Sequence, residues 1–118
     1  IDGYPSFHDK SKGAERGKNI LFNLISENIS VLHCGDLGVI PNDSLLDKIG
    51  SVDVLMVPVG GFYTLNSQEA VQLVKKIEPV IVLPMHYNRQ GLNQKKFSQL
   101  APIDLFFKEM ELSELPLQ

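Results

Sequence analysis

Two apolar runs on either side of one well-marked helix limit the possible folds more than any other feature of this chain. "VDVLMVP" (Val52 to Pro58) and "VIVLP" (Val80 to Pro84) are almost unbroken in apolar residues, which is the pattern of strands covered on both faces. Between them, "NSQEAVQLVKKIEP" places Asn66 and Glu69 at capping-box spacing and lines up Ala70, Leu73, Val74 and Ile77 as one stripe. Pro79 then ends the helix. Strand, helix and strand in alternation imply helices laid on a largely buried sheet.

The flanking sequence extends this pattern. "KNILFNLI" (Lys18 to Ile25) and "SVLHC" (Ser30 to Cys34) read as an antiparallel pair, with "GYPSF" before them as a turn. "NDSLLDKIG" offers Asn42 or Asp43 as an N-cap and Gly50 as a stop, so a short helix is expected. "NQKKFSQLA" reads as a third helix and "IDLFFKEM" as a last strand before an acidic tail. With 118 residues, 43% of them hydrophobic, the chain has apolar mass for one core, and residues 1–118 are expected to form a single α/β domain. The opening "IDGYPSFHDK" has neither an initiator methionine nor a signal pattern, and reads as part of something longer.

Charge and cysteine content narrow the function classes. A net charge of -3 leaves no basic footprint for nucleic acid or an anionic membrane. No apolar run approaches the roughly 20 residues that span a bilayer, and the single Cys34 cannot form an internal disulfide. A cytoplasmic location follows as the expectation.

The polar chemistry clusters where strands end. His8 follows "GYPSF", Asp36 follows the strand ending at Cys34, "PVGG" follows the next strand, and His86 follows "VIVLPM". In open α/β sheets ligands gather beyond the carboxyl ends of strands, and two imidazoles with a carboxylate suit zinc, iron or manganese. Each residue also has a plainer reading: a packed histidine for His8 and His86, and a turn aspartate accepting backbone N–H groups for Asp36. Cys34 activated by His33 is disfavoured, because adjacent strand residues point to opposite faces. Cys34 reads better as a small buried apolar residue. "PVGG" fits either an anion nest or a tight reversal.

Taken in order, "PSFHDKSKGAERGKNILF", "VLHCGDLG", "VDVLMVPVGGFYTLNSQEAVQLV" and "VIVLPMHY" resemble the C-terminal half of metallo-β-lactamase-fold hydrolases, in the branch of the ascorbate-phosphate-lactonase-like metal-dependent enzymes. The resemblance runs to about Tyr87. It implies one half of an αββα sandwich, a mixed sheet with helices on its outer face and a two-metal site at one edge. His8 stands at the position of a site-one ligand, Asp36 at the carboxylate shared by both metals, and His86 at the site-two histidine. Zinc is the first expectation for the two divalent ions, with manganese or iron as alternatives. A water activated between the metals would then hydrolyse an ester, lactone or phosphodiester of a small-molecule substrate.

The His-x-His-x-Asp-His motif that the family carries in its N-terminal half does not occur in these 118 residues. The chain therefore supplies two protein ligands per metal, against the three usual at catalytic zinc. A missing N-terminal half, or self-association, is expected to complete the site and to cover the inner face of the sheet. Arg16, and beside it Lys18, is a candidate to pair with an anionic substrate group, against simple solvent exposure. Tyr63 and Tyr87 flank the motifs, with packing an equal reading. Two rival functions stay open: a metal-free scaffold, and a receiver-type domain with Asp36 as phosphoacceptor, although the latter lacks an adjacent acidic pair for magnesium.

Overall fold

A computed structural model describes residues 1–88 and 100–112 of the chain. Five strands, β1 (Asp2–Phe7), β2 (Lys18–Ser26), β3 (Ile29–His33), β4 (Val54–Pro58) and β5 (Ile81–Met85), lie side by side in chain order in one sheet. The first three are antiparallel neighbours, whereas β3, β4 and β5 run parallel. Glu27 and Asn28 turn the β2–β3 hairpin with φ of +51° and +67°, the paired positive values that match the twist of a two-residue turn. Parallel strands need crossovers, and α1 (Asp43–Ile49) and α2 (Ser67–Ile77) provide them. The third helix, α3 (Ile103–Leu112), follows β5.

Local chemistry accounts for both crossover helices. Asn42 caps α1 by accepting the Leu45 N–H, and Gly50 ends the helix at φ +76°. The α2 capping box is complete: the Asn66 side chain accepts the Glu69 N–H, and the Glu69 side chain accepts the Asn66 N–H. Glu78 then leaves the helix in a left-handed conformation before Pro79.

One core joins the helices to one face of the sheet. Leu21, Leu32, Leu55, Val57 and Val82 from the strands are buried with Ile49 of α1, Ala70, Leu73 and Val74 of α2, and Phe106 and Met110 of α3. The opposite face has no layer over it among the described residues. Register places Phe22, His33, Met56 and Leu83 in one row across it and Leu24, Val31, Val54 and Ile81 in the next. Ile20, Phe22, Leu24, Ile81 and Leu83 there are 40–48% exposed.

Several sequence expectations change. "GYPSF" is part of β1 rather than a turn; Pro5, which has no N–H to donate, is tolerated because β1 is an outer strand. Pro84 sits likewise in β5, the other outer strand. "IDLFFKEM" is helix α3, since Ile103, Phe106, Phe107 and Met110 fall at helical spacing and Phe106 and Met110 turn into the core. β5 is buried only through Val82, because Ile81 and Leu83 lie on the uncovered face. The antiparallel β1–β2–β3 half excludes the receiver-type reading, which requires an all-parallel sheet. Most of "NQKKFSQLA" lies outside the described residues. No described helix is long and apolar enough to cross a membrane.

Candidate metal centre

Topology brings five strand ends to one rim. The C-terminal end of β1 lies beside the N-terminal end of β2, which in turn lies beside the C-terminal ends of β3, β4 and β5. His8, Asp36 and His86 all emerge there and come together. His8 Nε2 lies 3.6 Å from Asp36 Oδ2, and His86 Nδ1 lies 3.7 Å from Asp36 Oδ1. Each imidazole thus faces its own oxygen of one carboxylate.

These separations are too long for good hydrogen bonds yet suit a shared cation. Two ligands held about 2.1 Å from a tetrahedral ion lie about 3.4 Å apart. The Asp36 side chain is 57% exposed and open to such an ion. His8 Nδ1 is buried with no hydrogen-bond partner among the described residues, while the other ring nitrogen, Nε2, is the one that faces Asp36. No group of three or more His, Cys, Asp or Glu among the described residues is arranged to hold a metal by itself. The donor set therefore fits divalent metal but does not complete its coordination.

The backbone around the three side chains is tightly specified. Gly38 N–H donates to the Phe7 carbonyl at 3.0 Å, and a Cβ on Gly38 would overlap the His8 carbonyl. Gly60 stands in the same relation to His86: a Cβ there would overlap the His86 carbonyl. "GDLG" and "PVGG" each supply a glycine against which one histidine rests, so close approach explains the second glycine pair where a nest or a reversal was expected. His86 itself has φ +55°, a conformation costing a non-glycine residue on the order of 1–2 kcal/mol and concentrated at functional sites.

Asn19 and Asp9 do work that the sequence did not reveal. Asn19 Oδ1 accepts the Asp36 N–H at 3.1 Å, while its Nδ2 donates to the Cys34 carbonyl at 2.8 Å and to Ser6 Oγ at 3.1 Å. It ties β1, β2 and the Asp36 turn together. Asp9, directly after His8, is buried and accepts the N–H groups of Ser11 and Gly13 on Oδ1 and those of Glu15 and Arg16 on Oδ2. The Arg16 N–H above all, with those of Gly13, Ser11 and Glu15, holds the carboxyl down at about 2 against the opposing effect of burial.

His33 lies beside the centre rather than in it. Its Nδ1 accepts the Gly35 N–H at 3.0 Å and so braces the residue before Asp36. Cys34 is fully buried in the core, and burial pushes its thiol up to about 12, which removes it as a nucleophile. Arg16 lies over the Tyr63 ring, with Cζ 3.4 Å from the ring centroid, and Tyr63 tilts against Phe62 at 4.0 Å. Lys18 is exposed at the start of β2, and Tyr87 packs against the core.

Comparison with known proteins bears on this architecture. Residues 1–86 match the Beta-lactamase superfamily domain. A UPF0173 metal-dependent hydrolase of Staphylothermus marinus is 34% identical over 84 residues, covering 71% of this chain and 35% of the relative. The crystal structure of a proposed Zn-dependent hydrolase of the metallo-β-lactamase superfamily from Thermotoga maritima superposes with a TM-score of 0.76 at 36% identity, covering 91% of this chain and 50% of that one. A metallo hydrolase of Ignicoccus hospitalis, at 21% identity, shares the fold with a TM-score of 0.69 over 98% of this chain and 47% of its own. The chain thus spans between about a third and a half of these proteins. With a mixed sheet, helices on one face and a domain match over most of its length, the chain belongs to the metallo-β-lactamase superfamily.

Proposed function

We propose that this chain is the C-terminal half of a metal-dependent hydrolase, in which His8, Asp36 and His86 help to hold two divalent cations, zinc first among them, with Asp36 shared between the two. The observation that carries the reading is that two imidazoles from distant strand ends face separate oxygens of one carboxylate. Bound there, the metals would supply a water nucleophile active near neutral pH for ester, lactone or phosphodiester hydrolysis. Asp36 offers one oxygen to each side, Asn19 and His33 fix the turn that aims it, and Gly38 and Gly60 fix the distance of the two histidines.

The uncovered sheet face supports an N-terminal half as the missing layer. Its rows of Phe22, Leu24, Met56, Ile81 and Leu83 form an apolar surface of the kind that packs against a second sheet. Chains of similar sequence are about twice as long. That half would also supply the remaining ligands.

The test is to express the chain joined to the coding sequence upstream of Ile1, and to measure metal per protein and turnover on ester, lactone and phosphodiester substrates. Close to two equivalents of metal and hydrolysis of one class are expected, both lost in Asp36→Asn. Full metal content and turnover in Asp36→Asn would refute the assignment. A metal-free scaffold is the second reading, favoured by the absence, among the described residues, of any group of three or more His, Cys, Asp or Glu arranged to hold a metal. Joined protein that purifies without metal and takes up none would establish it.

A further inference from the structure

We propose that Arg16, laid against Tyr63, is an oxyanion-binding post for the substrate of this centre; the proposal rests on the hydrolase reading above and names the substrate class as one carrying a second, negatively charged carboxylate or phosphate. Arg16 comes from the loop between β1 and β2, and Tyr63 from the loop between β4 and α2. In the sheet order these loops flank the one that follows β3 and carries Asp36. The 3.4 Å stack therefore joins the loop after His8 to the loop that backs His86, along the rim where both face Asp36. A second link, Lys10 Nζ to Glu69 Oε2 at 2.9 Å, ties the loop after His8 to the first turn of α2, which follows the Tyr63 loop.

Both members of the stack are held in place. The Arg16 backbone N–H donates to Asp9 Oδ2 at 2.6 Å, the shortest of the four bonds to that carboxylate, so the point from which the side chain departs is fixed. Tyr63 has φ +65°, which a bulky residue adopts only where its surroundings impose it. Stacking occupies one face of the guanidinium plane, while its N–H donors point outward in that plane. No described carboxylate pairs with them: Asp9 is engaged by backbone N–H groups, and Glu69 is taken by Lys10. A pre-positioned fork whose donors pair with no described carboxylate matches the paired oxygens of a carboxylate or phosphate.

The experiment uses the chain joined to its N-terminal half and loaded with zinc. Turnover is compared for a matched pair of esters, p-nitrophenyl succinate with a free carboxylate and uncharged p-nitrophenyl butyrate. Arg16→Gln leaves the backbone bond to Asp9 in place and is expected to lower the anionic-to-neutral ratio of kcat/KM at least tenfold, mainly through KM. Tyr63→Leu, which keeps the guanidinium but removes its platform, is expected to lower that ratio about threefold. Titration of inorganic phosphate into the EDTA-treated protein should show a Kd at least tenfold weaker in Arg16→Gln. A ratio and a phosphate Kd both within twofold of the parent overturn the proposal, as does a parent that binds no phosphate. A parent that hydrolyses nothing but binds phosphate through Arg16 removes the hydrolase reading and leaves the post standing.

Discussion

Gly38→Ala is the sharpest test of how this fold sets its histidines. The added Cβ would overlap the His8 carbonyl and stand 2.6 Å from the Asp9 nitrogen, all of it backbone that cannot rotate away. Restoring an ordinary contact of 3.4 Å to Asp9 N alone requires a shift of about 0.8 Å. His8 Nε2 lies 3.6 Å from Asp36 Oδ2, and Gly38 is two residues from Asp36, so the shift falls directly on the ligand spacing. Misplacement near 1 Å costs up to about 100-fold in a positioned site, so zinc affinity should fall on the order of 100-fold, roughly 2.7 kcal/mol. Overpacking should also lower the stability of the metal-free protein by about 1–3 kcal/mol. Competition with a chromophoric zinc chelator gives the first quantity and urea unfolding of the metal-free protein the second. Gly50→Ala is the control. That site has φ +76° and ψ -150° with nothing within 4 Å of a new Cβ, so it should lose about 1–3 kcal/mol of stability and keep its zinc affinity. Zinc binding by Gly38→Ala within threefold of the parent would refute the reasoning.

His86→Ala, a partly exposed ring at the rim, should lower zinc occupancy and turnover at least about 100-fold while Tm changes by less than about 2 °C. His33→Ala, which removes only the acceptor for the Gly35 N–H, should cost about tenfold or less in zinc affinity; equal damage from the two would mean that the ligand set is wrong. Asp9, held at about 2 against an ordinary 3.8, contributes stability that is present above the unfolded value and disappears as pH falls through about 2. Unfolding measured from pH 5 to pH 2 should show that loss, and Asp9→Asn should flatten the profile. Cys34, buried with its thiol pushed up to about 12, should resist iodoacetamide at pH 8 in the native protein and react once urea unfolds it; rapid native labelling would contradict the core assignment.

Local signals in the sequence were legible wherever local chemistry decides the outcome. Asn66 and Glu69 announce the start of α2, and Asn42 and Gly50 bracket α1. The strands of "KNILFNLI" and "SVLHC" pair as their composition suggests. β1 was obscured because Gly3 and Pro5 imitate a turn, and only its place at the margin of the sheet makes them acceptable. α3 was obscured because a short segment rich in Ile and Phe suits either period until Phe106 and Met110 find the core. The centre is harder still. His8, Asp36 and His86 are scattered along the chain; their places after strand ends made them candidates, and the resemblance supplied their separate roles. Asn19 leaves no local trace, and Gly38 and Gly60, though visible in "GDLG" and "PVGG", matter through a neighbour that only the tertiary structure provides.

The two outer strands have a bearing on assembly. Pro5 in β1 and Pro84 in β5 each remove one donor from the margin of the sheet, which hinders a stray strand from extending the ladder sideways. With lateral growth discouraged at both ends, ordered association is channelled onto the broad apolar surface. A polypeptide built this way favours stacking into a second layer over polymerising through its borders.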